Sequence, residues 1–260
     1  MIDALRYEGV RLRTIASTYW TLLTGLALCG LVALGFGLET RGIDLAPADA
    51  TFMLTAGGAD LPFPVLGMVI AVIGILSTGH EYRYRTIYPT LTALPRRSVV
   101  LAAKVLTVAC LAAFAAVIMT AICWSVGSLA RREPLPLFDE QALSDNQALR
   151  VLVCYVLLVV LYGVLGVSLG QLTRSIPAAL VVLLITPLVV EPVISALSGL
   201  ASLGWLGGVA THLPFAAGMR LVAIDVGNDG LGPWAGGAVF AGFVAVLLSV
   251  AWILFERRDA

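Results

Sequence analysis

The chain has 260 residues, 60% of them hydrophobic and only 12% charged, and its formal net charge is zero. Soluble domains carry about 25% charged residues, so the composition excludes that class, and the zero balance lacks the basic footprint of a nucleic-acid binder. Any partner must therefore be selected by where the charges lie.

Residues 1–18 read as a helix. At about 100° per residue, Ile2, Leu5, Gly9, Leu12, Ile15 and Ala16 gather on one arc, and Asp3, Arg6, Arg11, Arg13, Thr14 and Ser17 on the other. This is the pattern of an amphipathic helix lying in the membrane interface, serving either as a surface anchor or as a lever against a cytoplasmic subunit. Glu8 falls within the apolar arc, where a carboxylate is costly unless paired. Arg11 or Arg13 on the neighbouring turn, or an arginine of a later loop, is its candidate partner.

Six apolar runs follow, about Trp20 to Gly37, Pro62 to Gly79, Ser98 to Leu129, Leu149 to Leu172, Pro177 to Leu200 and Ala235 to Phe255. Each is long enough to cross about 30 Å of hydrocarbon. Lipid cannot satisfy free backbone amides and no dyad alternation marks a barrel, so the expected class is an all-α polytopic membrane protein with six transmembrane helices in one domain, residues 1–260. Leu28 stands where a lipoprotein cleavage box before Cys29 needs a small residue, so the first span is expected to be retained. Cys29, Cys110, Cys123 and Cys154 all lie in apolar runs and read as packing residues, without paired, loop-borne ligands for a metal.

With the N-terminus inside, the cytoplasmic segments hold eleven of the 16 basic residues, and the outer loops hold Arg41, Arg131, Arg132, Arg150 and Arg220. The positive-inside rule then gives cytoplasmic N and C termini.

Between the second and third runs, residues 80–97 form a polar interruption carrying Glu81, Tyr82, Arg83, Tyr84, Arg85, Thr86, Arg96 and Arg97, with Lys104 a little further on. A short helix is expected from Glu81 to about Thr92, presenting tyrosine and arginine anchors of the kind that dominate interfaces. Glu81, Thr86, Pro95, Arg96 and Lys104 resemble the loop between the second and third spans of the ATP-binding-cassette type-2 permeases, although Arg85 stands where that family usually has glycine. The resemblance implies the membrane subunit of an exporter. Its ATPase-coupling surface would comprise Glu8 and Arg11 of the first helix with Glu81, Tyr82, Arg83, Tyr84, Arg85, Thr86, Arg96 and Arg97 of the loop. Two ATPase subunits would dock there, and a second permease, identical or a sister chain, would complete the path through the lipid bilayer. The chain itself has no G-x-x-x-x-G-K-[ST] motif, so ATP and Mg would bind in the partner ATPase and no cofactor in this chain.

Gly166-Val167-Ser168-Leu169-Gly170 matches the G-x-S-x-G of a nucleophile elbow. An elbow needs a strand-to-helix turn, whereas Gly163, Gly166 and Gly170 read as a small-residue stripe for close helix packing. Glu191 is the acid in the body of a span, about 21 Å along the fifth helix, flanked by Pro187 and Pro192 that bend it. Two roles stand open for it: a carboxyl satisfied by freed backbone amides, or a member of a translocation path with Leu184, Pro187 and Ile194, which follow at steps of three and four. Residues 201–234 are apolar but broken by glycines and Pro214, and are expected to form an outer re-entrant pair of short helices. Type-2 permeases carry such an element before the last span. The rival reading is a non-transporting membrane protein, such as an intramembrane enzyme or sensor scaffold.

Overall fold

Each long apolar run is a helix in the computed structural model, which describes residues 2–57, 61–84, 86, 92, 97–133, 147–200, 205–224 and 231–257. In chain order the helices are α1 (Ile2–Thr14), α2 (Ala16–Glu39), α3 (Pro47–Thr55), α4 (Val65–Arg83), α5 (Arg97–Arg131), α6 (Gln147–Thr173), α7 (Ile176–Ile185), a π turn (Thr186–Val190), α8 (Glu191–Ser198), α9 (Gly207–Ala210), α10 (Pro214–Met219), a 3-10 turn (Arg220–Val222) and α11 (Pro233–Arg257). No strand occurs among the described residues. Proline opens α3, α10 and α11, where its missing N–H has no partner to lose. Left-handed residues stop three helices, Ala56 after α3, Arg132 after α5 and Arg174 after α6.

Among the described residues, six helices are long and apolar enough to cross a membrane: Ala16–Glu39, Val65–Arg83, Arg97–Arg131, Leu149–Thr173, Ile176–Ser198 and Pro233–Arg257. The chain is thus an all-helical polytopic membrane protein. Two spans form its centre. α4 and α6 are each 67% buried, whereas the other four spans are 17–28% buried and stand around them. Outward from that ring point Trp20, Leu31, Phe114, Val117 and Val246, a surface suited to hydrocarbon and not to water.

Helices α4 and α6 meet through small residues. A Cβ at Gly74 would stand 2.7 Å from Gly163 O and 2.9 Å from Val167 N, and one at Gly166 would run into the Ala71 backbone. Gly163, Gly166 and Gly170 all lie on this contact, Gly170 against Ile75 and Thr78. Close backbone approach replaces the missing hydrophobic driving force between helices in lipid with dispersion contacts.

Polar contacts gather at two opposite ends of the bundle. At one end α1, the end of α4, the start of α5, the end of α6 and the end of α11 converge, with Arg97 Nη1 donating to Phe255 O at 3.3 Å. At the other end the buried Arg131 staples the connection after α2, donating to Thr40 O at 2.6 Å and Ile43 O at 2.9 Å. Arg150 there donates to Ala223 O at 3.1 Å.

The fifth span is α7, the π turn and α8 in sequence, and its buried positions are Ala179, Leu183, Pro187 and Glu191, every fourth residue. An ideal α-helix rotates such a series steadily off one face, since four residues exceed a turn of 3.6. The wider π turn at Pro187 reduces that drift, which keeps Glu191 facing inward. Leu184 lies outside the stripe and is exposed, Leu183 taking the inward place, while Ile194 is half-buried. The even α-helical spacing expected for Leu184, Pro187, Glu191 and Ile194 fails because the extra residue of the π turn shifts the register between them.

Candidate functional site

Four ionised side chains meet between α1, α4 and α5, three of them almost entirely withdrawn from solvent. Glu8, Glu81 and Lys104 are at most 2% exposed, and the Arg11 side chain is 12% exposed. Lys104 Nζ donates to Glu8 Oε1 at 2.9 Å, to Glu81 Oε1 at 3.0 Å and to the carbonyl of Ser77 at 3.2 Å. An ammonium has three N–H donors, and all three have acceptors here. Arg11 Nη1 donates to Glu8 Oε2 at 3.2 Å and to Glu81 Oε1, while Nη2 donates to the same Ser77 carbonyl.

The sequence assembles this cluster by simple spacing. Glu8 and Arg11 are three apart on α1, one above the other, and Ala4, Glu8, Arg11 and Leu12 turn toward the bundle. Ser77 and Glu81 are four apart on α4, so the Ser77 carbonyl and the Glu81 carboxylate share a face. The Ser77 hydroxyl turns away to Gly74 O at 2.8 Å, leaving only its carbonyl in the cluster. Two acids and two bases sum to zero, which is the arrangement a low-dielectric site tolerates.

Arg11 belongs by helical spacing to the polar arc of residues 1–18, yet it turns inward because two carboxylates need counterions. Ile2 sat on the apolar arc and is exposed. Lys104 and the Ser77 carbonyl were absent from the expected coupling set. The single lysine of the chain, six residues into an apolar run, was the available signal for the first; a backbone carbonyl leaves none.

The other expected residues that are described lie around the cluster. Tyr82 Oη accepts from Gln171 Nε2 at 2.7 Å, tying α4 to α6, and the Arg174 guanidinium lies 5.1 Å from the Tyr82 ring centre. Arg83 and Tyr84 are exposed, the guanidinium 5.6 Å from the Tyr84 ring centre. Thr86 is exposed just beyond α4, and Arg97 reaches across to α11. Arg85 and Arg96 lie outside the described residues, as does most of the helix expected from Glu81 to about Thr92.

At the opposite end Glu191 is fully engaged. Its Oε1 accepts from Phe215 N and its Oε2 from Ala216 N, both at 2.8 Å, so one carboxylate from the fifth span caps the first turn of α10. Phe215 then packs against Tyr162 of α6 and Phe240 of α11, with ring centres 5.9 and 5.7 Å away. Ser168 of the G-x-S-x-G stretch lies in mid-helix with Oγ donating to Val164 O at 2.8 Å. His212 bonds within its own turn, Nδ1 lying 2.9 Å from Gly208 O and 3.0 Å from Thr211 Oγ1.

No model of a known protein family matches this chain, and a search of curated proteins finds no match either.

Proposed function

We propose that this chain is the membrane permease subunit of an ATP-driven exporter of the ATP-binding-cassette type-2 kind. The observation that supports the reading is the buried cluster of Glu8, Arg11, Glu81 and Lys104, which fastens α1 to the ends of α4 and α5. Breaking such a set leaves an uncompensated charge, so α1 moves with the two spans and not independently of them. A load applied to α1 from outside the bilayer is therefore transmitted to the centre of the bundle. A surface anchor needs no such lock.

In this reading the charge-cluster end faces the cytoplasm of a bacterial cell, in line with the positive-inside rule. α1 lies in the interface with Ile2 and Val10 in lipid. Two ATPase subunits dock against α1 and the segment after Glu81, with Tyr84, Arg85, Thr86, Arg96 and Arg97 as anchors. Residues 205–224 belong to an outer re-entrant element held by Glu191. The path borders the fifth span, with Leu184 on the side that faces a second permease and with Pro187, Glu191 and Ile194 on the side that opens to it only when the element held by Glu191 moves away. ATP and Mg act in the ATPase subunits.

The test is affinity purification of the tagged chain from its native membranes in mild detergent, with ATP hydrolysis measured in the eluate. The expected result is a co-purified P-loop ATPase whose activity falls in Glu81→Ala while the amount of inserted chain does not. Recovery of intact chain free of any such ATPase overturns the proposal.

A further inference from the structure

A cavity of about 430 Å³ opens between the end of α4 and the corner joining α6 to α7, lined by Gly79, Arg83, Arg174, Ser175, Ile176 and Pro177. Gly79 lets the corner sit close, because a Cβ there would collide with Ile176. Arg174 occupies the left-handed position that ends α6, at φ +52°, with its N–H donating to Gly170 O at 3.1 Å. Glycine makes that turn without strain, so the arginine here occupies an uncommon backbone state. Its guanidinium lies on the Tyr82 ring, and its Nε is buried with no hydrogen-bond acceptor.

Neither Arg83 nor Arg174 forms an ion pair among the described residues. Glu8 and Glu81 of the neighbouring cluster are already occupied by Arg11 and Lys104. α7 also starts at this corner with no side-chain cap on its first turn, so the positive end of its dipole faces the same space. From Pro177 an exposed apolar ridge continues along α7 through Val181 and Ile185, at steps of four. Two guanidiniums without an ion pair among the described residues, beside a membrane-facing apolar ridge, match a phosphate joined to an acyl chain.

The geometry points to this cavity as a binding site for an anionic phospholipid, its phosphate between Arg83 and Arg174 and an acyl chain along Pro177, Val181 and Ile185. The site requires a bilayer and not a transport function, so its failure leaves the proposed function intact. Native mass spectrometry of the full chain, released from detergent and titrated with dioleoyl phosphatidylglycerol, reads the bound lipid directly. The wild type is expected to hold phosphatidylglycerol about tenfold more tightly than phosphatidylcholine with the same chains, by the strength of charge-assisted hydrogen bonds. The pair Arg83→Gln and Arg174→Asn is expected to remove that preference, asparagine being chosen because it tolerates the left-handed conformation. Arg83→Gln alone, at an exposed position, is expected to remove part of it and keeps the test valid if the pair does not fold. Inorganic phosphate at millimolar concentration is expected to leave the lipid bound; displacement by it assigns the cavity to a free anion and overturns the lipid. Equal retention of the two lipids by the wild type, or undiminished preference in the variants, also overturns it.

Discussion

Lys104 Nζ lies 3.0 Å from Glu81 Oε1, joining α5 to α4, and the same ammonium reaches Glu8 of α1 at 2.9 Å. One side chain therefore holds three helices together at one end of the bundle. Lys104→Met leaves Glu8 and Glu81 sharing the single charge of Arg11, a net buried anion. The expected loss is about 3–5 kcal/mol, the range for breaking a buried pair. Adding Glu8→Gln restores neutrality and should recover a substantial part of it. Thermal unfolding of the detergent-purified variants in a double-mutant cycle measures the coupling. Additive losses would show that the two residues act separately.

How much of this was legible in the sequence follows from what kind of signal each feature leaves. The spans were readable because hydrocarbon imposes length and composition on them; the expected first run, Trp20 to Gly37, lies inside the observed Ala16–Glu39. The need for Glu8 to be paired was also readable, from a carboxylate on an apolar arc. The identity of its partners was not, since Lys104 is 96 positions away and the Ser77 contribution is a backbone atom. Glu191 and its two prolines announced an irregular fifth span, but the π turn that shifts Leu184 out of the inward stripe has no signature beyond them.

The contact between α4 and α6 gives a second expected outcome. Gly166 faces the Ala71 backbone, which cannot yield as a flexible side chain can. Gly166→Ala should therefore separate the two central spans and lower stability by about 1–3 kcal/mol, the usual cost of overpacking. Gly9→Ala is the control, because a Cβ there meets nothing within 4 Å. Equal unfolding temperatures for the two variants would show that the seam can open without cost.

Glu191 supplies a third. Both of its oxygens accept backbone N–H bonds from α10, so Glu191→Gln replaces one acceptor with a donor aimed at another donor. The first turn of α10 should loosen by about 1–3 kcal/mol, as for a lost charge-assisted hydrogen bond. Hydrogen exchange at the Phe215 and Ala216 amides measures it. Protection unchanged in the variant would mean that packing of Phe215 on Tyr162 and Phe240, not the carboxylate, holds the element.

The fifth span also decides where a second permease can sit. Pro187 and Glu191 are buried within one chain, whereas Val181, Leu184, Leu188 and Val189 are exposed along the outer side of the same helix. A neighbouring permease in the resting arrangement can touch only the exposed set. Single cysteines at Leu184 and Val189, in a chain stripped of Cys29, Cys110, Cys123 and Cys154, should therefore crosslink between copies if this span borders the dimer axis. A cysteine at Ile194, half-buried beside Glu191, should react weakly at first and gain reactivity with nucleotide if α10 swings away and opens a path. The check is thiol crosslinking in membranes that also contain the ATPase, with and without ATP and vanadate. Crosslinks at Leu184 and Val189 with an Ile194 position indifferent to nucleotide would place the dimer contact on this helix while removing Glu191 from the path. No crosslinks at either exposed position would move the axis to another span.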